Sequence, residues 1–202
     1  MTENKLCLIE NKLCLTENKP GLTEILPAEL YLGRAPRLAG EIVKILSSSS
    51  SERKKRLTLA ESCTGGLASD FIVRIPGASK VFWGSFVTYT DEAKVEMLEV
   101  PGELIKKHGA VSRLVALAMA EGALKQSGVD MAVSITGFAG PDGDESSPIG
   151  TVWIGLAGLD ALGIIWSEAK AFLFTGERNE IREAAAAAAL EWVLQYLTNK
   201  KG

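Results

Sequence analysis

Glu61-Ser62-Cys63-Thr64-Gly65-Gly66 brings a carboxylate, two hydroxyls, a thiol and two glycines into six residues. A hydroxyl or thiol held at such a turn can act as a nucleophile. The N–H groups of a helix that starts there favour anions or developing negative charge. Serine is a poor nucleophile without a base. His108 is the single histidine, and in Lys106-Lys107-His108-Gly109 it reads better as a C-terminal helix residue satisfying the last carbonyls. A Ser-His-Asp triad would rest on that one residue. The other route is a lysine base, whose pKa falls with burial or nearby positive potential. Lys94, one turn into a predicted helix and close to Tyr89, fits that role. Ser62, Tyr89 and Lys94 therefore make a candidate serine–tyrosine–lysine set, similar in logic to the Ser/Lys acyl-transfer enzymes. A plainer reading stays open beside it: Ser62 or Thr64 as a helix N-cap, the glycines as a tight turn and Lys94 as a surface lysine. Cys63 competes with Ser62, but adjacent residues point in different directions. With Ser62 toward a ligand, Cys63 faces the core, where free cysteine is common.

The elements that must position these residues can be read from periodicity. Arg56 to Ala60 alternate, with Leu57 and Leu59 on one side, and predict a strand entering the turn. Leu67, Ala68, Phe71, Ile72 and Ile75 then follow a helical period. Before them, Pro36 to Leu46 predict a helix, and Ser47 to Ser51 a surface loop. Val81 to Tyr89 is β-branched and aromatic and predicts a strand. Thr90, Pro101 and Ser112 open three further helices, the second stopped by Gly109 and the last by Gly128. Val129 to Thr136 predicts a strand running into the glycine-rich loop Gly137–Asp144. Thr151–Ala157 and Gly163–Phe174 predict a hairpin, and a final helix carries Leu190, Val193, Leu194 and Leu197 on one face. The expected fold is α/β: a three-layer α/β/α sandwich with a mixed, mostly parallel sheet. Ligands in such sheets sit beyond the C-terminal strand ends. The loops Glu61–Gly66, Tyr89–Lys94 and Thr136–Asp144 should converge there.

Composition narrows the classes. The 202 residues suffice for one domain with a substantial core, and 47% apolar with 23% charged residues is ordinary for a water-soluble protein. A net charge of −3 argues against nucleic-acid binding. Arg53-Lys54-Lys55-Arg56, beside the serine run, reads as a solvated linker. No apolar run is long enough to span a bilayer, and no signal-peptide core is visible, so no membrane role and a cytoplasmic location are expected. Three cysteines make no disulfide framework, and one histidine leaves no His-based metal site. No metal or other cofactor is expected. The Gly137–Asp144 loop lacks Gly-Lys-Ser/Thr and is no P-loop, yet its N–H groups can hold one phosphate, with help from Arg178. Residues 2–22 repeat a heptad, TENKLCL, IENKLCL, TENKPGL, with Cys7 and Cys14 at equivalent positions. Pro20 breaks it as a coiled coil. Residues 1–36 are expected to be an N-terminal extension, disordered or packed on a neighbour up to about residue 25, ahead of a domain at 37–202.

Taken together, AESCTGG (60–66), FVTYTDEAK (86–94), HGAVS (108–112), SITGFAGPDG (134–143), PIGTVWIGLA (148–157) and TGERNEIR (175–182) resemble the CinA C-terminal domain family. Its members include nicotinamide-nucleotide amidases. The resemblance spans about residues 37–198 and implies a metal-free serine amidase. Such an enzyme converts nicotinamide mononucleotide to nicotinate mononucleotide and ammonia in pyridine-nucleotide recycling. It implies Ser62 as nucleophile, with Tyr89 and Lys94 activating it. Glu61, Thr64, Gly65, Gly66, Thr136, Gly137, Gly140 and Arg178 are placed around the substrate, Arg178 as a phosphate contact. In the implied mechanism, N–H groups of the Thr64–Gly66 turn stabilise the oxyanion. It implies a stand-alone form without the family's nucleotide-hydrolysing N-terminal domain, and self-association as at least a dimer. The sequence departs from the family's pattern at Asp142–Ser147: Asp144 and Glu145 add negative charge, and Ser147 stands where a lysine is usual. That departure bears on phosphate affinity. Two rival readings follow, a non-catalytic nucleotide-binding or competence-associated interaction protein, and a serine amidase acting on another small amide.

Overall fold

The computed structural model describes residues 8–9, 12–14, 22–48, 55–143, 147–160 and 162–199. The chain opens with short strands β1 (Leu8–Ile9) and β2 (Lys12–Cys14), then β3 (Leu22–Pro27) and helix α1 (Ala35–Ser47). β4 (Leu57–Glu61), α2 (Leu67–Val73) and β5 (Phe82–Val87) follow, then α3 (Asp91–Leu98), α4 (Gly102–His108) and α5 (Arg113–Ser127). β6 (Met131–Gly137), β7 (Thr151–Leu159), β8 (Ile165–Thr175) and α6 (Arg178–Asn199) complete the order. The sheet runs β1-β2-β3-β8-β7-β6-β4-β5. β6, β4 and β5 are mutually parallel, β7 is antiparallel to β6 and β8, and β3 is parallel to β8.

Helices cover both faces, as the predicted three-layer arrangement requires. β4 is buried at all five positions, because a central strand between two helical layers has no solvent face. Leu57, Leu59, Met131, Val133 and Ile135 pack toward α1, α2 and α6. The opposite face is small. Ala60, Ala132 and Ala157 meet α5, Leu98 of α3 and Ile105 of α4. Gly155 is required by that closeness, since a Cβ there would lie 2.5 Å from the Ala116 carbonyl oxygen of α5. Caps fix the helix starts: Thr90 accepts from the Ala93 N–H at 3.2 Å, and Ser112 from the Val115 N–H at 3.4 Å.

The C-terminal part of the expected extension over residues 1–36 packs on the domain. Ile25, Leu26 and Pro27 of β3 register with Leu173, Phe174 and Thr175 of β8. The Gly33 N–H donates to Glu183 at 2.8 Å, and Arg34 pairs with Glu191, so this stretch is tied to α6. A six-residue strand has little local signal, and the β8 residues it joins lie far along the chain. Most of the heptad repeat, the Cys7 and Cys14 side chains, residues 49–54 and residues 144–146 lie outside the described residues.

Candidate active site

The C-terminal ends of β4, β5, β6 and β8 reach the same edge of the sheet, and the Glu61–Gly66 turn leaves β4 there. Its geometry is set by Glu61. The fully buried Glu61 carboxylate accepts from the Gly66 and Ala68 N–H groups at 2.9 and 3.1 Å, and from the Ser69 N–H at 2.9 Å and its hydroxyl. These are orphan donors of the α2 N-terminus, which want a negative acceptor. Glu61 is therefore the cap, not Ser62 or Thr64. The helix begins at Gly66, whose φ of +94° suits glycine. Glu61, expected from the sequence near the substrate, does not line the pocket described below; its oxygens are taken by the α2 N-terminus and, at 3.4 Å, the Ser85 hydroxyl of β5.

Ser62, Tyr89, Lys94, Thr136, Gly137, Gly140 and Arg178, all singled out by sequence, line one pocket of about 240 Å³. Ser62 is 8% exposed, and its N–H donates to the Ile135 carbonyl of β6 at 2.9 Å, which fixes the residue against the sheet. Lys94 is 2% exposed, with Nζ donating to the Thr90 carbonyl at 3.3 Å and lying 3.6 Å from Asp91. Burial pushes the Lys94 ammonium below its ordinary pKa, and Asp91 opposes the shift. The surface-lysine reading of Lys94 is thereby excluded. Tyr89 lies just past β5, is 57% exposed, and its hydroxyl accepts from Arg178 Nη2 at 3.0 Å. Arg178 also donates to the Gly140 carbonyl, so the glycine-rich loop and Tyr89 share one guanidinium. The Thr136 hydroxyl donates to the Ala110 carbonyl at 3.0 Å, tying β6 to the segment before α5.

Thr64, Gly65 and Gly66 do not line this pocket. The Gly65 N–H donates to the Ser62 carbonyl at 3.0 Å and the Gly66 N–H to Glu61, so neither is available to an oxyanion. The Cys63 and Thr64 N–H groups take no backbone acceptor among the described residues. Cys63 belongs to the core, as expected, and also touches the pocket; burial pushes its thiol up to about 12, which leaves it un-ionised at neutral pH. His108 is exposed, ends α4 and is not part of the pocket, so a histidine base has no geometric support. Among the described residues no cluster of three His, Cys, Asp or Glu could hold a metal ion, and no helix is long and apolar enough to cross a membrane. Asp142 lines the pocket, so one acid of the departing loop does reach the site. Sequence reading gave Arg182 no role, although it lies one helical turn beyond Arg178. In the structure its guanidinium donates to the Cys63 and Thr64 carbonyls at 3.2 and 2.9 Å.

Residues 39–197 match the CinA C-terminal domain. The chain belongs to that family. A CinA relative, the nicotinamide-nucleotide amidohydrolase PncC of Shigella flexneri, is 46% identical over 149 residues, which cover 73% of this chain and 88% of that protein. A competence-damage inducible protein of Symbiobacterium thermophilum is 49% identical over 154 residues, 73% of this chain and 36% of its own length. The chain spans about a third of the length of several such CinA relatives. Among solved structures, competence damage-inducible protein A from Klebsiella pneumoniae superposes with a TM-score of 0.75 at 32% identity, covering 82% of this chain and 98% of that one.

Proposed function

We propose that this CinA domain hydrolyses the carboxamide of nicotinamide mononucleotide, giving nicotinate mononucleotide and ammonia through a Ser62 acyl-enzyme. The observation that carries the reading is the buried Lys94, its pKa lowered, in the same pocket as Ser62. The relation to the Shigella amidohydrolase supplies the substrate. Neutral Lys94 takes the Ser62 proton, and the oxygen attacks the carboxamide carbon. The Cys63 N–H, on a residue that lines the pocket and without a backbone acceptor of its own, holds the tetrahedral oxyanion, a role in which one donor contributes ~3 kcal/mol. Collapse breaks the C–N bond, and the leaving ammonia takes the proton back from Lys94. Water, deprotonated by Lys94, then attacks the ester and returns Ser62. Tyr89 accepts from Arg178 and so can offer its own proton toward Ser62 or Lys94 as relay. Arg178 uses two of its five N–H donors within the protein, which leaves others for a substrate phosphate. No step calls on a metal or other cofactor.

A homo-oligomer is part of the same proposal; exposed Trp83 and Val87 on edge strand β5 offer it a surface. A substrate from the pyridine-nucleotide pool fits a cytoplasmic site of action. Incubation of the purified protein with nicotinamide mononucleotide should release nicotinate mononucleotide and ammonia in equal amounts. A folded protein that releases neither contradicts the proposal.

A further inference from the structure

Arg182 has no task in the mechanism above, yet its guanidinium is committed to the Glu61–Gly66 turn. Its Nε donates to the Cys63 carbonyl at 3.2 Å and its Nη2 to the Thr64 carbonyl at 2.9 Å. Its Nη1 donates to Asn179 at 3.0 Å, which holds the guanidinium on α6. The peptides of this turn are trans, the one cis bond among the described residues being Gly140–Pro141. In a trans peptide the N–H points opposite to the carbonyl. The Cys63 carbonyl turned toward Arg182 therefore turns the Thr64 N–H away from it. The Thr64 carbonyl, also held by Arg182, turns the Gly65 N–H onto the Ser62 carbonyl at 3.0 Å. That contact in turn orients the Cys63 N–H, on a residue that lines the pocket.

From this chain of contacts we infer that Arg182 is the positioning residue of the oxyanion site: by holding the Cys63 and Thr64 carbonyls it fixes the turn from behind and with it the direction of the Cys63 N–H. A cation on the carbonyl side of a peptide draws charge from its N–H, and hydrogen bonds in series strengthen one another. Two carbonyls at different heights need two nitrogens of one rigid plane, which arginine supplies and lysine does not. The inference rests on the serine-amidase reading, and it concerns how the transition state is held, not how the substrate binds.

The test uses Arg182→Met and Arg182→Lys in the full chain with two reactions. One is turnover of nicotinamide mononucleotide. The other is phosphonylation of Ser62 by an alkyl fluorophosphonate, in which the serine oxygen bonds to phosphorus and fluoride leaves; it is followed by intact mass. Arg182→Met should lower kcat about 100-fold, near the loss of one oxyanion donor, with KM within about threefold. Phosphonylation should slow in parallel, because its developing negative charge needs the same donor. Arg182→Lys should fall between the two and decides the matter if Arg182→Met does not fold. A folded variant with unchanged kcat and phosphonylation rate, or with its whole loss in KM, overturns the inference. A wild type that is phosphonylated at Ser62 yet inert toward nicotinamide mononucleotide defeats the substrate reading alone, and the phosphonylation rates then decide the role of Arg182. A wild type not labelled at Ser62 overturns both.

Discussion

Replacing Glu61 by Gln tests whether the Glu61–Gly66 turn is built on a buried charge. The carboxylate accepts the N–H groups of Gly66, Ala68 and Ser69 and the Ser69 hydroxyl. Glutamine keeps one acceptor oxygen. Its least costly orientation leaves that oxygen on Gly66 and Ala68 and turns the NH2 toward Ser69. The Ser69 hydroxyl can then reverse and accept, but the Ser69 N–H faces a donor. One bond to a charged acceptor is lost, about 1.5–3 kcal/mol. Loss of the negative charge at the α2 N-terminus adds about 0.3–1 kcal/mol. The sum is about 2–4 kcal/mol, and for a chain of this size it should appear as a fall in Tm of about 4–16 °C. Glu61→Ala, which leaves the buried Ala68 N–H and the half-buried Gly66 and Ser69 N–H groups without their acceptor, should cost more. Guanidinium denaturation followed by tryptophan fluorescence at neutral pH measures both. A Glu61→Gln variant within about 0.5 kcal/mol of wild type would refute the assignment of Glu61 as the cap.

Lys94→Met should abolish turnover while raising the melting temperature at pH 7. The folded-state pKa of Lys94 lies below its unfolded value of 10.5, so the unfolded chain binds the proton more readily between the two values. Wild-type stability therefore rises with pH across that window, and below it the folded state carries a buried charge that methionine removes. A lower melting temperature at pH 7 for Lys94→Met would argue against the burial effect. In the wild type, kcat/KM should climb with pH to a plateau whose midpoint lies below 10.5, and the pH–rate profile reads it. Asp142→Asn removes a negative charge from the pocket wall and should lower KM for the anionic nucleotide about two- to fivefold, as expected for one exposed charge; an unchanged KM places the phosphate elsewhere. Cys63, with its thiol near 12, should resist iodoacetamide at pH 8 until the protein is unfolded. Rapid alkylation of the native protein would contradict its burial.

Much of the site was legible because strand-to-loop changes of period are local. The turn after Leu59, the Thr90 cap and the glycine-rich loop after Thr136 each announce a strand end, and parallel pairing of β4, β5 and β6 brings them together. What a side chain does at such a turn is not local in the same way. Ser62 and Thr64 have good capping chemistry, yet Glu61 wins, because its side chain reaches three donors at once from the end of a buried strand. Arg182 was invisible because its carbonyl partners lie far along the chain, at Cys63 and Thr64. Strand β3 was missed for a related reason: residues 25–27 pair with β8, about 150 residues along the chain, and residues 22–24 with β2, so the strand follows from its partners and not from its own pattern. Lys94 shows the reverse case, a residue ambiguous by spacing whose surface reading is removed by burial alone.

Release of ammonia from nicotinamide mononucleotide, measured for the wild type beside Ser62→Ala and Lys94→Ala, tests the central claim most directly. The account predicts turnover by the wild type, and its loss in both variants with the fold retained. A Ser62→Ala variant as active as the wild type would contradict it.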